Sequence, residues 1–192
     1  MGASTHAFNY RKRKDSPCAK YSFRGKEFEG GYGRQVLGET WINHYGAHRK
    51  KSTRGIVAPG MEKHPIPRGV KDVWGESDVY SITTLSGDGK PQLMGQAPRG
   101  MQPSSPPNPD KKPTPAAWVK SYTGESGRAA RIFTTTMGRP ADFKNRGFQG
   151  SVVNACYWAL GMEKRIAANS NIGFAGPYNP TPIGVRKRQT GQ

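Results

Sequence analysis

The chain has 192 residues, 33% of them hydrophobic, and a formal net charge of +17. The length fits one domain, and the absence of any run of about 18 apolar residues excludes a membrane-spanning helix. No apolar segment of the signal-peptide type begins the sequence, so the localisation is unknown and cytoplasmic by default. Because Cys18 and Cys156 are the only cysteines and lie in different surroundings, neither a disulfide framework nor a Cys-x-x-Cys metal site is suggested.

The positive charge predicts attraction to nucleic acid or to other polyanions. The cations cluster at residues 11–14, 49–54 and 186–188, which are all predicted loops or chain ends. Such runs are typical of solvated surfaces, and no nucleic-acid-binding motif accompanies them. We therefore expect only non-specific attraction to nucleic acid, although the aromatic and basic residues of 21–28 would suit a stacking platform.

A short helix is predicted at 34–45, after a long glycine-rich loop at 10–33. Its apolar residues recur four apart, as on one face of a helix, and Gly46 ends it. Within it and just after it lie His44 and His48, two of the four histidines in the chain. Because imidazoles titrate near neutrality and can donate, accept or bind a metal, this stretch is the first place to look for function.

The spacing of His44 and His48 would suit two metal ligands on one helical face. However, Gly46 lies between them, and a metal needs three or four ligands. The glycines of 25–33 match no nucleotide-binding loop either. We therefore predict no metal and no cofactor, and surface or capping roles are an equal alternative for both histidines.

Five strands and one braced turn are predicted in the middle of the chain. Short runs rich in β-branched and aromatic residues, bounded by Gly, Pro and Ser, are typical of strands. The predicted strands span residues 54–58, 78–84, 92–96, 116–122 and 131–136. We expect the second to pair with the third across a turn at 86–89, and the fourth with the fifth through the loop 123–127. His64, directly before Pro65, is expected to brace a turn.

Three further segments complete the chain. Residues 98–115 hold seven prolines and are predicted to be an extended excursion. Residues 145–161 form the clearest helix, with Cys156 on its buried face and Gly161 as its stop. Residues 166–192 are polar and basic, and they are expected to form a tail along the surface.

Several segments occur in the order found in one known family. Among them are LGETWINH at 37–44, STRGIVAPG at 52–60, HPIPRG at 64–69, RIFTTTMG at 131–138 and VNACYWA at 153–159, and others lie at 5–8, 74–80 and 117–122. Their order and number resemble the ThuA-like (trehalose-utilisation) domain. We therefore divide the chain into a ThuA-like domain at 1–165, the C-terminal portion of the family fold, and a tail at 166–192.

The resemblance implies an α/β fold: a flavodoxin-like sandwich of the class I glutamine amidotransferase-like type, with a C-terminal β-hairpin and helix. The family's strands and helices before Thr5-His6 are missing, so the sandwich is expected to be incomplete at its N-terminus and to self-associate through uncovered sheet surface. Gly2 to Thr5 carry no cysteine at the elbow, so glutaminase chemistry is not implied. Arg139 follows Gly138, where many relatives carry another polar residue, often histidine.

The resemblance also implies a site. In open α/β sheets, ligands bind beyond the carboxyl ends of the strands, and a histidine beside an aspartate can perform acid–base chemistry on a sugar hydroxyl or keto group. We therefore predict His6, His44 and Asp78 as catalytic residues, and Glu39, His48 and Tyr80 as substrate-binding residues. Equal alternatives are a strand-end cap for Asp78 and a core ring for Tyr80.

Three functions are compatible with the sequence. The first is a ThuA-like protein of carbohydrate utilisation that performs acid–base chemistry on trehalose, a related sugar or a keto-sugar. The alternative is a non-catalytic ligand-binding or interaction domain, and the second alternative is a basic nucleic-acid binder. Whether the protein is an enzyme is left open by the sequence, and the expected ligand is a small sugar.

Overall fold

A computed structural model describes residues 13–47, 49–82 and 84–181 of the chain. Its strands and long helix are β1 (Thr53–Val57), β2 (Val73–Gly75), β3 (Lys90–Gln96), β4 (Thr114–Thr123), β5 (Ala129–Thr135) and α1 (Arg146–Ala159). Short 3-10 turns lie at Ala19–Tyr21, Pro140–Lys144 and Glu163–Arg165, and one turn of π-helix lies at Gly33–Leu37. The strands form one antiparallel sheet in the order β2-β1-β3-β4-β5.

The C-terminal hairpin is confirmed. β4 and β5 pair antiparallel on either side of the predicted loop, with Val119 opposite Phe133. The predicted strands at 54–58 and 92–96 are confirmed as β1 and β3, each within two residues of the predicted bounds. These elements depend mainly on local residue pattern, which is the information that a sequence carries most directly.

The predicted strand at 78–84 is wrong. Apart from position 83, which the structure does not describe, this segment makes a single bridge, between Tyr80 and His44. The predicted pairing of this segment with 92–96 is wrong too, because β1 and β4 occupy the two edges of β3. The segment's amides and carbonyls instead bond to residues 43–45.

The predicted helix at 34–45 is also wrong over most of its length. Only one π-type turn forms, at Gly33–Leu37, and Gly38 then takes a left-handed φ of +108°. Beyond it, the chain runs without regular structure to the bridge at His44. His44 therefore lies in an extended segment rather than at a helix end.

Both ends of α1 follow known capping rules. The Asn145 side chain accepts a hydrogen bond from the Phe148 amide (2.8 Å) and caps the first turn. At the other end, Gly161 has a φ of +72°. The amides of Gly161 and Met162 donate to the last-turn carbonyls at 3.1 and 2.8 Å, which is the Schellman arrangement. The predicted helix and its glycine stop are thus confirmed.

The buried face of α1 differs from the predicted one. Phe148 and Ala155 are buried, whereas Cys156 is exposed, so the prediction of Cys156 as a core residue is wrong. No charged residue occurs from 147 to 161, so the sequence pattern does not mark one face as the outer one. Cys18 and Cys156 are both exposed free thiols, in agreement with the expectation that they are not bonded to each other.

Buried side chains lie on both faces of the central strands. On one face, the main buried cluster joins α1 to the strands and consists of Val73, Leu93, Ala117, Met137 and Phe148. Successive strand residues point to opposite faces, so Trp118 points away from this cluster, and its ring lies against Leu37 and Gly38. The Trp118 side chain is completely buried as a result.

The fold class is α/β, with a helix packed on a sheet. Every pairing between the five described strands is antiparallel, whereas a flavodoxin-like sandwich is built around parallel central strands. The flavodoxin-like part of the predicted fold therefore stays a prediction.

Large exposed apolar side chains are Ile42, Ile56, Leu160 and Phe174, and they belong to different segments of the chain. The predicted self-association through uncovered sheet surface therefore stays a prediction. Among the described residues, no helix has both the length and the apolar character needed to cross a membrane.

His64 braces the turn that follows β1, as its sequence position suggests. Its Nδ1 accepts a hydrogen bond from the Ile66 amide (3.3 Å), and its ring lies 5.9 Å from the Trp158 ring between centroids. Burial lowers the pKa of His64 below its usual value, Glu163 opposes that shift, and Lys90 adds to it. Protonation at Nδ1 would also remove the acceptor that the Ile66 amide uses.

We expect the free energy of unfolding to decrease as the pH falls below about 6.5. Because the pKa of His64 is lower in the folded protein, the unfolded chain binds the proton first. The stabilising contribution is therefore fully present above the unfolded-state pKa and is lost as the pH falls towards and through the folded-state pKa. Urea unfolding between about pH 5 and pH 7.5 measures this dependence. His64→Gln should remove the part of the pH dependence that His64 contributes. An identical pH dependence of the free energy of unfolding in the variant and the unaltered protein would contradict the role given to His64.

Candidate active site

The Leu37 carbonyl fixes the stretch that carries much of the predicted site. Trp118 Nε1 donates a hydrogen bond to it (2.6 Å), and Thr134 Oγ1 donates a second (3.0 Å). Both donors are buried, on the neighbouring strands β4 and β5. Buried polar groups need hydrogen-bond partners, and the Leu37 carbonyl is the acceptor for both of these donors. A carbonyl that accepts from the sheet in this way does not accept the hydrogen bond that would continue the helix.

Gly38 then turns the chain away from the sheet. Its φ is +108°, and a Cβ at this position would lie 2.6 Å from Trp118 Nε1, so only glycine fits. The Ser86 amide donates to the Gly38 carbonyl (2.8 Å) and holds the turn from the other side. The end of the helix is therefore decided by contacts with residues far along the chain.

Glu39 follows this turn and is almost completely buried, with 1% of its surface exposed. One Arg34 guanidinium nitrogen donates to both of its carboxylate oxygens, at 3.0 and 3.2 Å, and the Thr40 amide donates to one of them (2.8 Å). A buried charge is tolerated when it is paired and hydrogen-bonded in this way. These contacts favour a structural role for Glu39, behind the surface that would meet a ligand.

His44 and Asp78 are in direct contact. His44 Nδ1 lies 2.5 Å from Asp78 Oδ2, and the side chains are 41% and 8% exposed, respectively. The carboxylate is thus held in the interior while the imidazole reaches the surface. The contact favours the tautomer in which Nδ1–H donates to the carboxylate, and proton exchange with a ligand then falls to Nε2.

Two aromatic rings flank the imidazole of His44. The Trp41 ring lies edge-on at 5.6 Å between centroids, and the Tyr80 ring lies edge-on at 6.4 Å. Both rings are half-buried. Trp41 was not among the predicted site residues, although its position within the same stretch as His44 was a usable signal. Flat apolar faces beside a proton-exchanging ring are the surroundings in which a sugar can be bound and oriented.

The proline-rich excursion lies close to this site. The Tyr45 hydroxyl donates to the Lys112 carbonyl (2.8 Å), and the Lys111 ammonium donates to the Tyr45 carbonyl. The same ammonium lies 4.5 Å from the centroid of the Tyr45 ring. Lys51 donates to the Arg99 carbonyl and attaches the excursion at a second point. Positive charge therefore borders the segment that carries His44.

Asp142 is a buried acid that the sequence analysis did not single out. It is completely buried and accepts hydrogen bonds from the amides of Gly138 (2.8 Å), Arg139 (3.0 Å) and Ser77 (3.1 Å), and from the Ser77 hydroxyl. These bonds join the turn after β5 to the residue immediately before Asp78. The available signal was its place in the first turn of a short helix, where acids commonly satisfy backbone amides.

The structure brings together three of the six predicted site residues: His44, Asp78 and Tyr80. Glu39 lies in the interior with its carboxylate engaged. His6 and His48 lie outside the described residues, so their roles stay predictions.

Neither a metal-ligand cluster nor a cavity coincides with the His44–Asp78 pair in the described residues. Within the described part of the chain, no three His, Cys, Asp or Glu side chains are grouped to hold a metal ion. Two cavities, of about 480 and 240 Å³, are lined by other residues and by neither His44 nor Asp78. Proton transfer depends on contact between the reacting groups rather than on cavity size, so the His44–Asp78 pair remains the candidate site.

Comparisons with protein-family models, with curated proteins and with solved structures find no match. The resemblance to the ThuA-like domain therefore stays a prediction from the sequence, and the candidate site rests on the contacts around His44.

Gly38→Ala is expected to destabilise the fold and to displace the stretch that carries His44. A left-handed φ costs an alanine about 1–2 kcal/mol, and its Cβ would in addition meet the Trp118 indole. Gly60→Ala is a matched control, because Gly60 has a φ of +79° and a built Cβ there meets nothing within 4 Å. Urea unfolding should show the larger loss for Gly38→Ala, and only that variant should shift the His44 ring resonances in NMR spectra. Equal losses in the two variants would contradict the role given to Gly38.

Proposed function

We propose that the protein is a ThuA-like enzyme of carbohydrate utilisation that performs acid–base chemistry on a sugar or keto-sugar, with His44 as the proton-transferring group. The observation that supports this is the 2.5 Å contact between His44 Nδ1 and Asp78 Oδ2. A histidine whose second nitrogen is held by a carboxylate is the usual arrangement of a histidine general base.

In this proposal, Asp78 accepts the Nδ1 proton, fixes the orientation of the ring and stabilises the imidazolium that forms during the reaction. Nε2 removes the proton from the carbon next to the keto group of the substrate. The electrons of that C–H bond pass into the enolate, and the proton returns from Nε2 in the second half of the reaction. Tyr80 offers a hydroxyl to the enolate oxygen, and the ring of Trp41 offers an apolar face to the sugar.

A non-catalytic ligand-binding domain is the second candidate. It is favoured by the 41% exposure of the His44 side chain, because active sites usually exclude water more completely. In that case Trp41 and Tyr80 would bind the sugar, and the His44–Asp78 pair would hold two segments together without transferring a proton.

The catalytic proposal is tested by incubating a panel of keto-sugars with the protein in deuterated water. NMR then measures how fast the proton next to the keto group is replaced by deuterium. We expect His44→Gln to lower this exchange by about 100- to 10,000-fold, the range that general acid–base catalysis contributes. Asp78→Asn should also lower it, because the amide no longer holds the correct tautomer. The His44 side chain is 41% exposed, so His44→Gln should leave the fold intact, and Asp78→Asn keeps the size and shape of a side chain that is buried.

Two matched controls accompany these variants. His64→Gln and Asp110→Asn make the same chemical changes at residues outside the site, and they should leave the exchange rate unchanged. Exchange that persists in His44→Gln would show that His44 is not the base. Binding of a keto-sugar without any exchange, in the unaltered protein, would favour the non-catalytic domain.

We also propose that the described antiparallel sheet is the C-terminal part of a flavodoxin-like sandwich. Large sheets of that class often add antiparallel strands to a parallel centre. We expect an experimental structure of the protein to show parallel strands beside the antiparallel strands described above. An experimental structure in which every strand pair of the sheet is antiparallel would contradict this proposal.

A further inference from the structure

A cavity of about 480 Å³ lies on the α1 side of the sheet, away from His44. Its walls come from three parts of the chain: the loop 68–72, the first turns of α1 and the segment 167–172. This volume lies within the range of small-molecule sites, and it is larger than a single inorganic ion requires. None of the residues that line it belongs to the proposed active site.

The charge that lines this cavity is unbalanced. Arg68, Lys71 and Arg146 contribute three positive charges, and Asp72 contributes the one negative charge. The remaining polar side chains along the wall are neutral asparagines and a serine. Cations that share a concave surface repel each other and concentrate the local positive potential. A bound anion would relieve that repulsion.

The cations are brought together by backbone contacts rather than by ion pairs. The Asn154 side chain donates through Nδ2 to the Arg68 backbone carbonyl (2.9 Å), and the Asn145 side chain donates through Nδ2 to the Asp72 backbone carbonyl (2.9 Å). Gly147 approaches so closely that a Cβ there would lie 2.0 Å from the Lys71 carbonyl oxygen. The loop is therefore fastened to α1 at three points.

The third wall is fastened to the same loop. The Arg68 guanidinium donates to the Ile166 carbonyl (2.9 Å), which ties the beginning of the tail to the loop. A Cβ at Gly69 would lie 2.1 Å from the Ala168 carbonyl oxygen, so the tail and the loop are in close contact there as well. The same guanidinium nitrogen also donates to the Glu163 carbonyl (3.4 Å), and Arg68 lines the cavity.

We propose that this cavity binds the phosphate group of a small phosphorylated molecule. Guanidinium and ammonium groups are the side chains that bind phosphate most strongly, Arg through paired N–H donors and Lys as a point charge. The neutral amides and hydroxyl along the wall are suited to the polar remainder of such a molecule. The concave shape favours a small ligand over an extended polyanion such as RNA, which requires a groove or an open surface. The site does not depend on the function proposed for His44.

Isothermal titration calorimetry with glucose 6-phosphate, inorganic phosphate and glucose, all at one ionic strength, tests the proposal. A constant ionic strength is needed because salt screens the attraction between any anion and this cationic protein. We expect saturable binding of glucose 6-phosphate, competition by inorganic phosphate, and no binding of glucose. Lys71→Gln and Arg146→Gln should each weaken the binding about tenfold, since each removes one charge-assisted contact.

Lys144→Gln is the matched control. It removes one positive charge from an exposed residue two positions before Arg146, and Lys144 does not line the cavity. It should leave the affinity unchanged. Lys71 and Arg146 are exposed and lie on different segments, so if one variant fails to fold, as judged by circular dichroism, the other still decides the question.

Three results would overturn the proposal. The first is no saturable binding of either phosphate compound. The second is an equal loss of affinity in all three variants, which would indicate attraction to net charge alone. The third is tighter binding of a single-stranded RNA oligonucleotide that Lys71→Gln and Arg146→Gln weaken, which would assign the surface to nucleic acid.

Discussion

The candidate site depends on the hydrogen bonds that two buried side chains make to one carbonyl. The Leu37 carbonyl accepts from the Trp118 indole and from the Thr134 hydroxyl, which lie side by side on β4 and β5. Leaving either donor unsatisfied in the interior would cost about 1–3 kcal/mol. The stretch that begins at Gly38 is thereby attached to the centre of the sheet, and the positions of Trp41 and His44 follow from that attachment.

Hydrogen bonds to three buried carboxylates also hold the segments that carry the candidate site. Glu39 is held by Arg34, Asp78 by His44, and Asp142 by backbone amides and a serine hydroxyl. Each buried charge is stable only because its partners are in place. Since the amide of Ser77 donates to Asp142, the residue immediately before Asp78 is fixed by a turn that lies 65 residues further along the chain. The acid of the His44–Asp78 pair thus follows directly on a residue that Asp142, an acid outside the pair, holds in place.

How far the site can be predicted from the sequence differs from residue to residue. The sequence identifies His44 and Asp78 as titratable groups, and the family resemblance places them near one rim. Their contact spans 34 positions, and the predicted elements on both sides of it, a helix and a strand, are wrong. The pair is nevertheless in contact, because two extended segments bridge at His44 and Tyr80. Asp142 was not identified, since a sequence gives little indication of which acid will be buried among amides.

The sequence by itself determined the elements that depend on neighbours along the chain: the hairpin of β4 and β5, and α1 with its Gly161 stop. It also determined the net charge of +17. The tertiary structure alone decided the strand order around β3, the face of α1 that is buried, and the end of the first helix at Leu37. The physical reason is that local pattern sets backbone preference, whereas these features were decided by partners distant in sequence. A buried indole that needs an acceptor outweighs a weak helical preference.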